Sequence, residues 1–539
     1  MIISYFFIKK LYVIRIFCYN DIGRYRKVKR NLLKAIGISF LIYIVLSWVI
    51  PVGTYADKLS TSGIDPVGLG DVFNSPISAF VTFVLYGVVI AVIGGFYGVV
   101  QKTGAYDKVV ARMVNRFEDK GNLFLVITIV LFTLLSSLTG LVIPLFVLAP
   151  LFGAVLLKLN YDKVTALAAT VGSLLLGNVT STYGFNISGY TKNILSLDMN
   201  FQIVVKIILL VCLTTLFVLM MLFSNKNRDK NKVQEKKALV KEAKKELKEV
   251  KKEVKKTIKT DKKTPKGKSA KKSNRKSTTK ALAITQNVKK VRENKGTAFA
   301  IILVLTILIS LTAMYNWYYS FGVTWFNDIH SSIMDVKIKD FAIFEKLLSG
   351  VSQFGYWSNI DFATLLIIAS MVIALIYKLT INEYVEGFIA GVKEWLPTAI
   401  YAALASIILS ILYKSFSSGA GNMITTIYAK IFDSISGFNP VVVGLSSLLG
   451  SFFFNDLYYL LSSLSPFITE YSASNLSLAA LIIQSVYGIG MMLFPTSIML
   501  IAGLSIFDVT YKEWIKYIWR FVLISLLFIL LVCGIVTLL

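Results

Sequence analysis

One apolar stretch of this chain stops about half-way through what would otherwise be a membrane helix. Residues 164–176 are apolar, and residues 177–189, which read Gly-Asn-Val-Thr-Ser-Thr-Tyr-Gly-Phe-Asn-Ile-Ser-Gly, are polar and rich in glycine. A helix needs ~20 apolar residues to cross a bilayer. Irregular backbone survives at membrane depth only where protein buries it or where it lines a cavity. Two interpretations are open: a loop at the membrane surface, or a helix broken in mid-membrane, as in the substrate sites of secondary transporters.

The composition places the chain among membrane proteins. It is 55% hydrophobic over 539 residues, with a mean hydropathy of +0.68, whereas soluble proteins average about 45–50% apolar residues. The excess falls into many separate apolar runs, which predicts an all-α polytopic membrane protein.

The residues that most enzymes and metal sites need are scarce. The three cysteines, Cys18, Cys212 and Cys533, are far apart, and His330 is the single histidine. This argues against a disulfide framework, a zinc site or a Ser-His-Asp triad. We therefore expect no catalytic residues, no metal site and no cofactor, and we predict that the protein is not an enzyme.

Positive charge is concentrated in one segment. Residues 225–295 hold 28 Lys/Arg and 8 Asp/Glu, which is +20 of the formal net charge of +27. By the positive-inside rule this segment and the basic N-terminus face the cytoplasm, so we expect a multi-pass protein of the cell membrane. Residues 240–260 show a heptad-like charged pattern and residues 261–295 are expected to be disordered. We expect the segment to be first of all a solvated linker that sets the topology, with membrane lipids favoured over nucleic acid as a partner.

The chain divides into four parts on these patterns. We predict a basic N-terminal segment at 1–32, a first transmembrane repeat at 33–223, a basic cytoplasmic linker at 224–296 that is helical and then disordered, and a second transmembrane repeat at 297–539.

Each predicted repeat contains a long apolar stretch with a polar centre, at 122–157 and at 441–468. For the first stretch, a re-entrant hairpin and two full spans are both open. An amphipathic segment precedes each stretch, at 102–120 and at 383–395, and both are expected to be interfacial. An additional crossing at 396–413 inverts the second hairpin relative to the first.

An interrupted span follows each long stretch, with breaks at residues 177–181 and 494–497. Inverted repeats with broken helices in matching positions point to a transporter binding site. The pairing of the two breaks favours the broken-helix interpretation of residues 177–189.

Two motifs resemble a known family. Residues 94–107 (Gly-Gly-Phe-Tyr-Gly-Val-Val-Gln-Lys-Thr-Gly-Ala-Tyr-Asp) and 494–504 (Phe-Pro-Thr-Ser-Ile-Met-Leu-Ile-Ala-Gly-Leu), the latter followed by 511–516, resemble the anaerobic dicarboxylate carriers and their arginine–ornithine antiporter relatives. The resemblance implies the two-repeat fold of the ion-transporter superfamily, with opposed re-entrant hairpins, elevator-like movement and a homodimer. It also implies a substrate that is a four-carbon dicarboxylate or, in some branches, arginine exchanged for ornithine.

The chain departs from that family at both proposed binding segments. The second hairpin centre reads Asn455-Asp456 where relatives commonly have a Pro-Ser-Gly-rich segment. Residues 178–182 replace a glycine-rich Ser-Thr-Asn-Pro run. Because of these departures, the resemblance does not determine which substrate the protein carries.

Helix ends at mid-membrane would offer free N–H groups to a carboxylate, and Ser, Thr and Asn oxygens would suit Na⁺ or an ammonium group. For each hydroxyl the alternative is packing or back-bonding to its own helix. The candidate substrate- or ion-binding residues are Ser137, Thr139, Asn178, Thr180, Ser181, Thr182, Asn186, Asn455, Asp456, Ser463, Thr496 and Ser497.

Asp456 is the sharpest candidate because an intramembrane carboxylate is costly. It could bind a cationic substrate, Na⁺ or a proton; the alternative is a shallower hairpin with a solvated carboxylate. No Lys or Arg lies in either hairpin or break. We therefore predict a secondary active transporter, symporter or antiporter, for a small solute, an amino acid before a dicarboxylate, with Na⁺ or proton coupling. The alternative from another class is a membrane scaffold that acts through the basic loop.

Overall fold

A computed structural model describes residues 31–56, 58–225, 296–338, 341–418 and 421–538, without the side chains of 414–418. The predictions for the N-terminal segment and the basic linker fall outside these residues. Within them, seven helices are long and apolar enough to cross a membrane. An eighth span results if Ile381–Leu404 and Ile407–Tyr413, which meet at 47°, count as one. The prediction of an all-α polytopic membrane protein is confirmed.

The first half is helical apart from one antiparallel pair of strands in the first connection, Val52–Tyr55 with Leu59–Gly63. Its helices are Asn31–Ser47, Leu69–Thr103, Ala105–Phe117, Gly121–Thr139, Val142–Phe146, Ala149–Lys158, Lys163–Leu167, Ser173–Val179, Tyr190–Leu195 and Ile203–Ser224, with π-helical turns at Ala168–Gly172 and Phe185–Gly189.

The second half likewise has one short strand pair, Lys337–Ile338 with Phe341–Ala342. Its helices are Thr297–Met314, Trp317–Phe321, Trp325–Met334, Ile343–Leu347, Asn359–Ile376, Ile381–Leu404, Ile407–Ser418, Met423–Phe432, Pro440–Phe453, Leu457–Tyr471, Leu476–Leu493, Ile498–Ile506 and Tyr511–Leu538, with a 3₁₀ turn at Ala473–Asn475.

The first long apolar stretch folds back on itself at Gly140, which we call the first tip. Gly140 ends helix Gly121–Thr139 in the left-handed conformation, with φ 71°. A Cβ atom on Gly140 would lie 3.1 Å from the backbone of Gly184. Gly184 belongs to residues 180–184, the first break, which interrupts the next helix. Since the tip reaches the middle of an interrupted helix, the stretch is a re-entrant hairpin and not two full spans.

The second repeat has the same parts. Helices Pro440–Phe453 and Leu457–Tyr471 form a hairpin whose second tip is residues 454–456. Residues 494–497, the second break, separate Leu476–Leu493 from Ile498–Ile506. The two interrupted helices touch each other, because a Cβ atom on Gly488 would lie 2.6 Å from the backbone of Val179.

The helices described between the two hairpins favour hairpins that enter a membrane from opposite sides. If each interrupted helix counts as one crossing, the residues that the structure describes between the hairpins supply five: the first interrupted helix, Ile203–Ser224, Thr297–Met314, Asn359–Ile376 and the bent pair 381–413. An odd number of crossings inverts the second hairpin. The predicted inverted order of hairpin, interrupted helix and uninterrupted helix is present in both halves.

The prediction of a separate interfacial segment at 383–395 is wrong. These residues are the first part of helix Ile381–Leu404, which continues past Pro397 without a break. In the first half, by contrast, Gly104 with φ 67° separates helix Ala105–Phe117 from the span before it. No such left-handed residue follows Trp395, so the amphipathic part and the crossing form a single helix.

Helix Ile381–Leu404 packs along helix Leu69–Thr103 at glycine pairs. Gly94 and Gly98 face Gly387 and Gly391, and a Cβ atom on Gly94 would lie 2.6 Å from the carbonyl oxygen of Gly391. Small residues four apart allow this backbone-to-backbone approach in membranes. The two helices therefore pack backbone against backbone at these four glycines.

Candidate functional site

A cavity of about 160 Å³ lies between the two tips, the second break and the residues that flank the first break. Both repeats line it, together with Tyr86, Met314 and Asn359 from neighbouring elements. The first repeat contributes Gly140, Leu141, Val142, Ile143, Pro144, Leu175, Asn178, Asn186, Ile187 and Tyr190, and the second contributes Asn455, Asp456, Leu457, Tyr487, Met491, Ser497, Ile498 and Met499.

Five of the twelve candidate residues line this cavity. They are three amides, one carboxylate and one hydroxyl: Asn178, Asn186, Asn455, Asp456 and Ser497. The remaining seven are not part of the cavity wall.

The first tip is tied to the first break by hydrogen bonds. Ser137 Oγ donates to the carbonyl oxygen of Thr180 at 2.6 Å, and Thr182 N–H donates to the carbonyl oxygen of Ser137 at 3.1 Å. Thr180 Oγ1 donates to Leu176 O at 3.0 Å within its own helix. Thr139 Oγ1 donates to Leu135 O in the same way, at 2.7 Å. The two bonds of Ser137 hold the hairpin to the break, whereas the hydroxyls of Thr180 and Thr139 bond back to their own segments.

The second tip is tied to the second break by Asn455. Its Nδ2 donates to Thr496 O at 2.9 Å and to Ser406 Oγ at 2.8 Å. Tyr487 Oη donates in turn to the carbonyl oxygen of Asn455, at 2.8 Å. Each hairpin is therefore bonded to the interrupted helix of its own repeat.

Several buried oxygens near these ties have no hydrogen-bond partner within the described part of the chain: Ser181 Oγ, Gln484 Oε1, Asn455 Oδ1 and Thr496 Oγ1. Buried polar atoms are normally satisfied, so each of these needs a water or a ligand. Gln484 also links the two repeats, since its Nε2 donates to the carbonyl oxygen of Ser181 at 3.1 Å. Ser463 Oγ is unpartnered as well, but it lies inside helix Leu457–Tyr471 and away from the tip.

Two of the cavity residues cap helices that begin at the site. Asp456 Oδ1 accepts a hydrogen bond from Tyr458 N–H at 2.9 Å, at the start of helix Leu457–Tyr471. Ser497 Oγ accepts one from Leu500 N–H at 3.4 Å, at the start of helix Ile498–Ile506. Helix N-termini carry partial positive charge. The site thus combines one carboxylate with two helix ends that favour anions.

The sequence analysis missed the tyrosines and one lysine. Tyr86, Tyr190 and Tyr487 line the cavity but have no motif that distinguishes them from other aromatic residues of the spans. Lys206 lies in the first turn of Ile203–Ser224 and is 1% exposed. No Lys or Arg lies inside either hairpin or break, but Lys206 reaches the first break from the following helix. A lone lysine in an apolar span is a visible signal, because intramembrane charges are rare and functional.

No group of three His, Cys, Asp or Glu side chains is placed to hold a metal ion in the ranges that the structure describes. The oxygens available for a cation at the cavity are instead amides, hydroxyls, carbonyls and the carboxylate of Asp456.

Residues 32–266 match the family described as DcuC, the C4-dicarboxylate anaerobic carriers. Among solved structures, the chain is similar to the YdaH transporter of Alcanivorax borkumensis, with 13% sequence identity and a TM-score of 0.37 over 94% of this chain and 97% of that one. No curated protein sequence matches. The arginine–ornithine part of the resemblance finds no support in these comparisons. The chain is a multi-pass membrane protein whose match to a carrier family supports a secondary transporter and not an enzyme.

Proposed function

We propose that this protein is a secondary transporter whose substrate occupies the cavity between the two repeats. The observation that carries the proposal is that one cavity is lined by both hairpin tips, by the second break, and by Asn178 and Asn186, which flank the first break. Irregular backbone inside a membrane is tolerated where it lines such a cavity, and broken helices of inverted repeats build midplane sites in transporters.

A four-carbon dicarboxylate is the substrate class we propose first. The family matched by residues 32–266 is described as carrying C4-dicarboxylates. The helix N-termini that follow Asp456 and Ser497, and the amides of Asn178 and Asn186, can donate to carboxylate oxygens. The cavity volume of about 160 Å³ suits a small solute, since drug-sized ligands need about 300–1,000 Å³.

An amino acid is the second candidate, and Asp456 is the observation that favours it. Its carboxylate lines the cavity, where it would repel a dianion and pair with an ammonium group. For a dicarboxylate, a proton or a Na⁺ ion carried with the substrate would have to offset the charge of Asp456. We therefore keep coupling to Na⁺ or protons as part of the proposal, together with a cytoplasmic basic loop and a homodimer in the cell membrane.

The movement we propose carries the two hairpins and the two interrupted helices as one unit. The tip-to-break bonds within each repeat and the Gln484–Ser181 bond between repeats hold these parts together. The glycine-packed pair Leu69–Thr103 and Ile381–Leu404 would be the support against which the unit moves.

Counterflow in proteoliposomes tests the function. Vesicles loaded with unlabelled succinate should accumulate labelled succinate, and external fumarate and malate should compete. Loading with arginine, ornithine or aspartate tests the amino-acid alternative. Should none of these solutes exchange in vesicles that contain correctly inserted protein, transport of a small carboxylate would be refuted.

A further inference from the structure

Lys206 is a buried cation that reaches the first break from the following helix. Its Nζ donates to the carbonyl oxygen of Thr182 at 3.3 Å and to Ser188 Oγ at 3.1 Å. It also lies 3.5 Å from the ring centroid of Phe201. The side chain as a whole is 1% exposed.

The groups that contact the ammonium group could also bind an inorganic cation. A backbone carbonyl, a hydroxyl and an aromatic face are all electron-rich groups that an alkali ion or an ammonium group can use. Thr182 and Ser188 stand on either side of Asn186, which lines the cavity. The ammonium group therefore hydrogen-bonds to both ends of segment 182–188, which contains Asn186.

A buried lysine is energetically unfavourable at this position. The first turn of a helix carries partial positive charge and disfavours a cation. No carboxylate within the described ranges forms an ion pair with Lys206, and Asp198 acts on it only electrostatically, from beyond ion-pair distance. Buried charge of this kind is retained when something offsets it. A carboxylate bound in the neighbouring cavity would do so.

We propose that the Lys206 ammonium group is a built-in cation of the first repeat: it holds the first break in the place of a bound inorganic cation and supplies fixed positive charge for a substrate carboxylate. The inference rests on the proposed transport function and deepens it. Lys206 is a positioning residue, since it acts through the segment 182–188 and does not line the cavity. The first repeat then needs no bound inorganic cation of its own.

Chemical rescue of a variant that lacks the Lys206 side chain tests this proposal directly. In Lys206→Ala the lost side chain leaves room for a small cation between Thr182 O and Ser188 Oγ. Without substrate, Na⁺ or ethylammonium should raise the thermal unfolding temperature of purified Lys206→Ala above its value in choline, and should leave wild type unchanged. This readout does not depend on transport, so it separates failure of this inference from failure of the proposed function.

In proteoliposomes that exchange succinate, Lys206→Ala should raise KM by roughly 10- to 100-fold, the loss expected for one charge-assisted interaction. Ethylammonium should recover part of that loss, and Lys206→Arg should stay closer to wild type. Lys192 is the matched control. Its Nζ donates to Tyr319 O at 2.8 Å and lies over the Tyr319 ring, and neither of these contacts is with residues 182–188. Lys192→Ala should show neither a raised KM nor a cation effect.

If Lys206→Ala does not reach the membrane, Lys206→Gln keeps a hydrogen-bond donor without the charge. A raised KM in Lys206→Gln supports the built-in charge. The proposal is overturned if either variant that folds has the KM of wild type and shows no cation-dependent stabilisation. Lys206 would then have a role in packing alone.

Discussion

Asp456 has two roles at the second tip that a substitution can separate. It caps helix Leu457–Tyr471 through Tyr458 N–H, and it brings a carboxylate to the cavity wall. Asn is as good an N-cap as Asp, so Asp456→Asn keeps the cap and removes only the charge.

We expect Asp456→Asn to lower succinate or amino-acid uptake by roughly 10- to 100-fold, without changing the amount of protein in the membrane. Asp162 is the matched control. It caps helix Lys163–Leu167 by accepting a hydrogen bond from Thr165 N–H at 2.7 Å, but it does not line the cavity. Asp162→Asn should keep its uptake. Equal uptake by both variants and wild type would contradict a binding or coupling role for Asp456.

Ser137 is the residue on which the first tip depends. Ser137→Ala removes the hydroxyl that donates to Thr180 O and leaves buried polar groups with fewer partners. The expected loss is about 1–3 kcal/mol of unfolding free energy, measured as a lower thermal unfolding temperature in detergent, together with lower uptake. Thr128 bonds only to Phe124 O in the same helix, so Thr128→Ala should change both much less. The opposite order of effects would show that the tip-to-break bonds are unimportant.

At the scale of single residues, the sequence shows which polar side chains are candidates for the site, but not the direction in which each side chain points. Asp456, Asn178 and Asn186 stand out because polar groups in apolar surroundings need a purpose, and all three line the cavity. The roles of Thr180 and Thr139 were not decidable, since a Thr hydroxyl can bond to its own helix in any span. Lys206 was overlooked because the rotation of a uniformly apolar helix does not follow from its sequence, so its direction toward the break emerges only from packing.

Among the elements, the hairpins and interrupted helices act in pairs. The second break was predictable from proline and clustered hydroxyl residues, because these residues end helices locally. The first was predicted at 177–181 and lies at 180–184, since helix Ser173–Val179 continues through Gly177. The continuity of helix Ile381–Leu404 was not predictable from the sequence. Pro397 suggests a helix boundary there, and tertiary packing overrides it. The close approach of Gly94 and Gly98 to Gly387 and Gly391 supports that single long helix, and nothing local in the sequence pairs these two segments.

Gly140 permits the sharp turn of the first tip and its contact with the first break. Gly140→Ala would place a Cβ atom on a backbone of φ 71° and 3.1 Å from Gly184. Gly104 is a control with similar backbone strain, φ 67°, but with no atom within 4 Å of an added Cβ. We expect both variants to lose about 1 kcal/mol of stability from the backbone. Only Gly140→Ala should lose most of its uptake, and comparable uptake by the two would contradict the tip-to-break contact.

Across the whole molecule, the transport proposal assigns the function to the membrane part and not to the basic loop. Replacing residues 230–293 by a Gly/Ser linker of the same length should leave exchange by correctly inserted protein within about twofold of wild type. Residues 226 and 228 keep two positive charges beside helix Ile203–Ser224 for its orientation. Loss of exchange with normal insertion would favour the scaffold alternative, in which the loop itself carries the function.

Substrate protection of cysteines from both repeats tests the central claim most directly. In a protein without Cys18, Cys212 and Cys533, Asn186→Cys and Ser497→Cys each place one thiol in the cavity wall, one from each repeat. Saturating succinate, or an amino acid if that is the substrate, should slow maleimide labelling several-fold at both positions. It should not slow labelling at an exposed control, Ser332→Cys. Labelling at 186 and 497 that no solute from the exchange panel slows would contradict a substrate site between the two repeats.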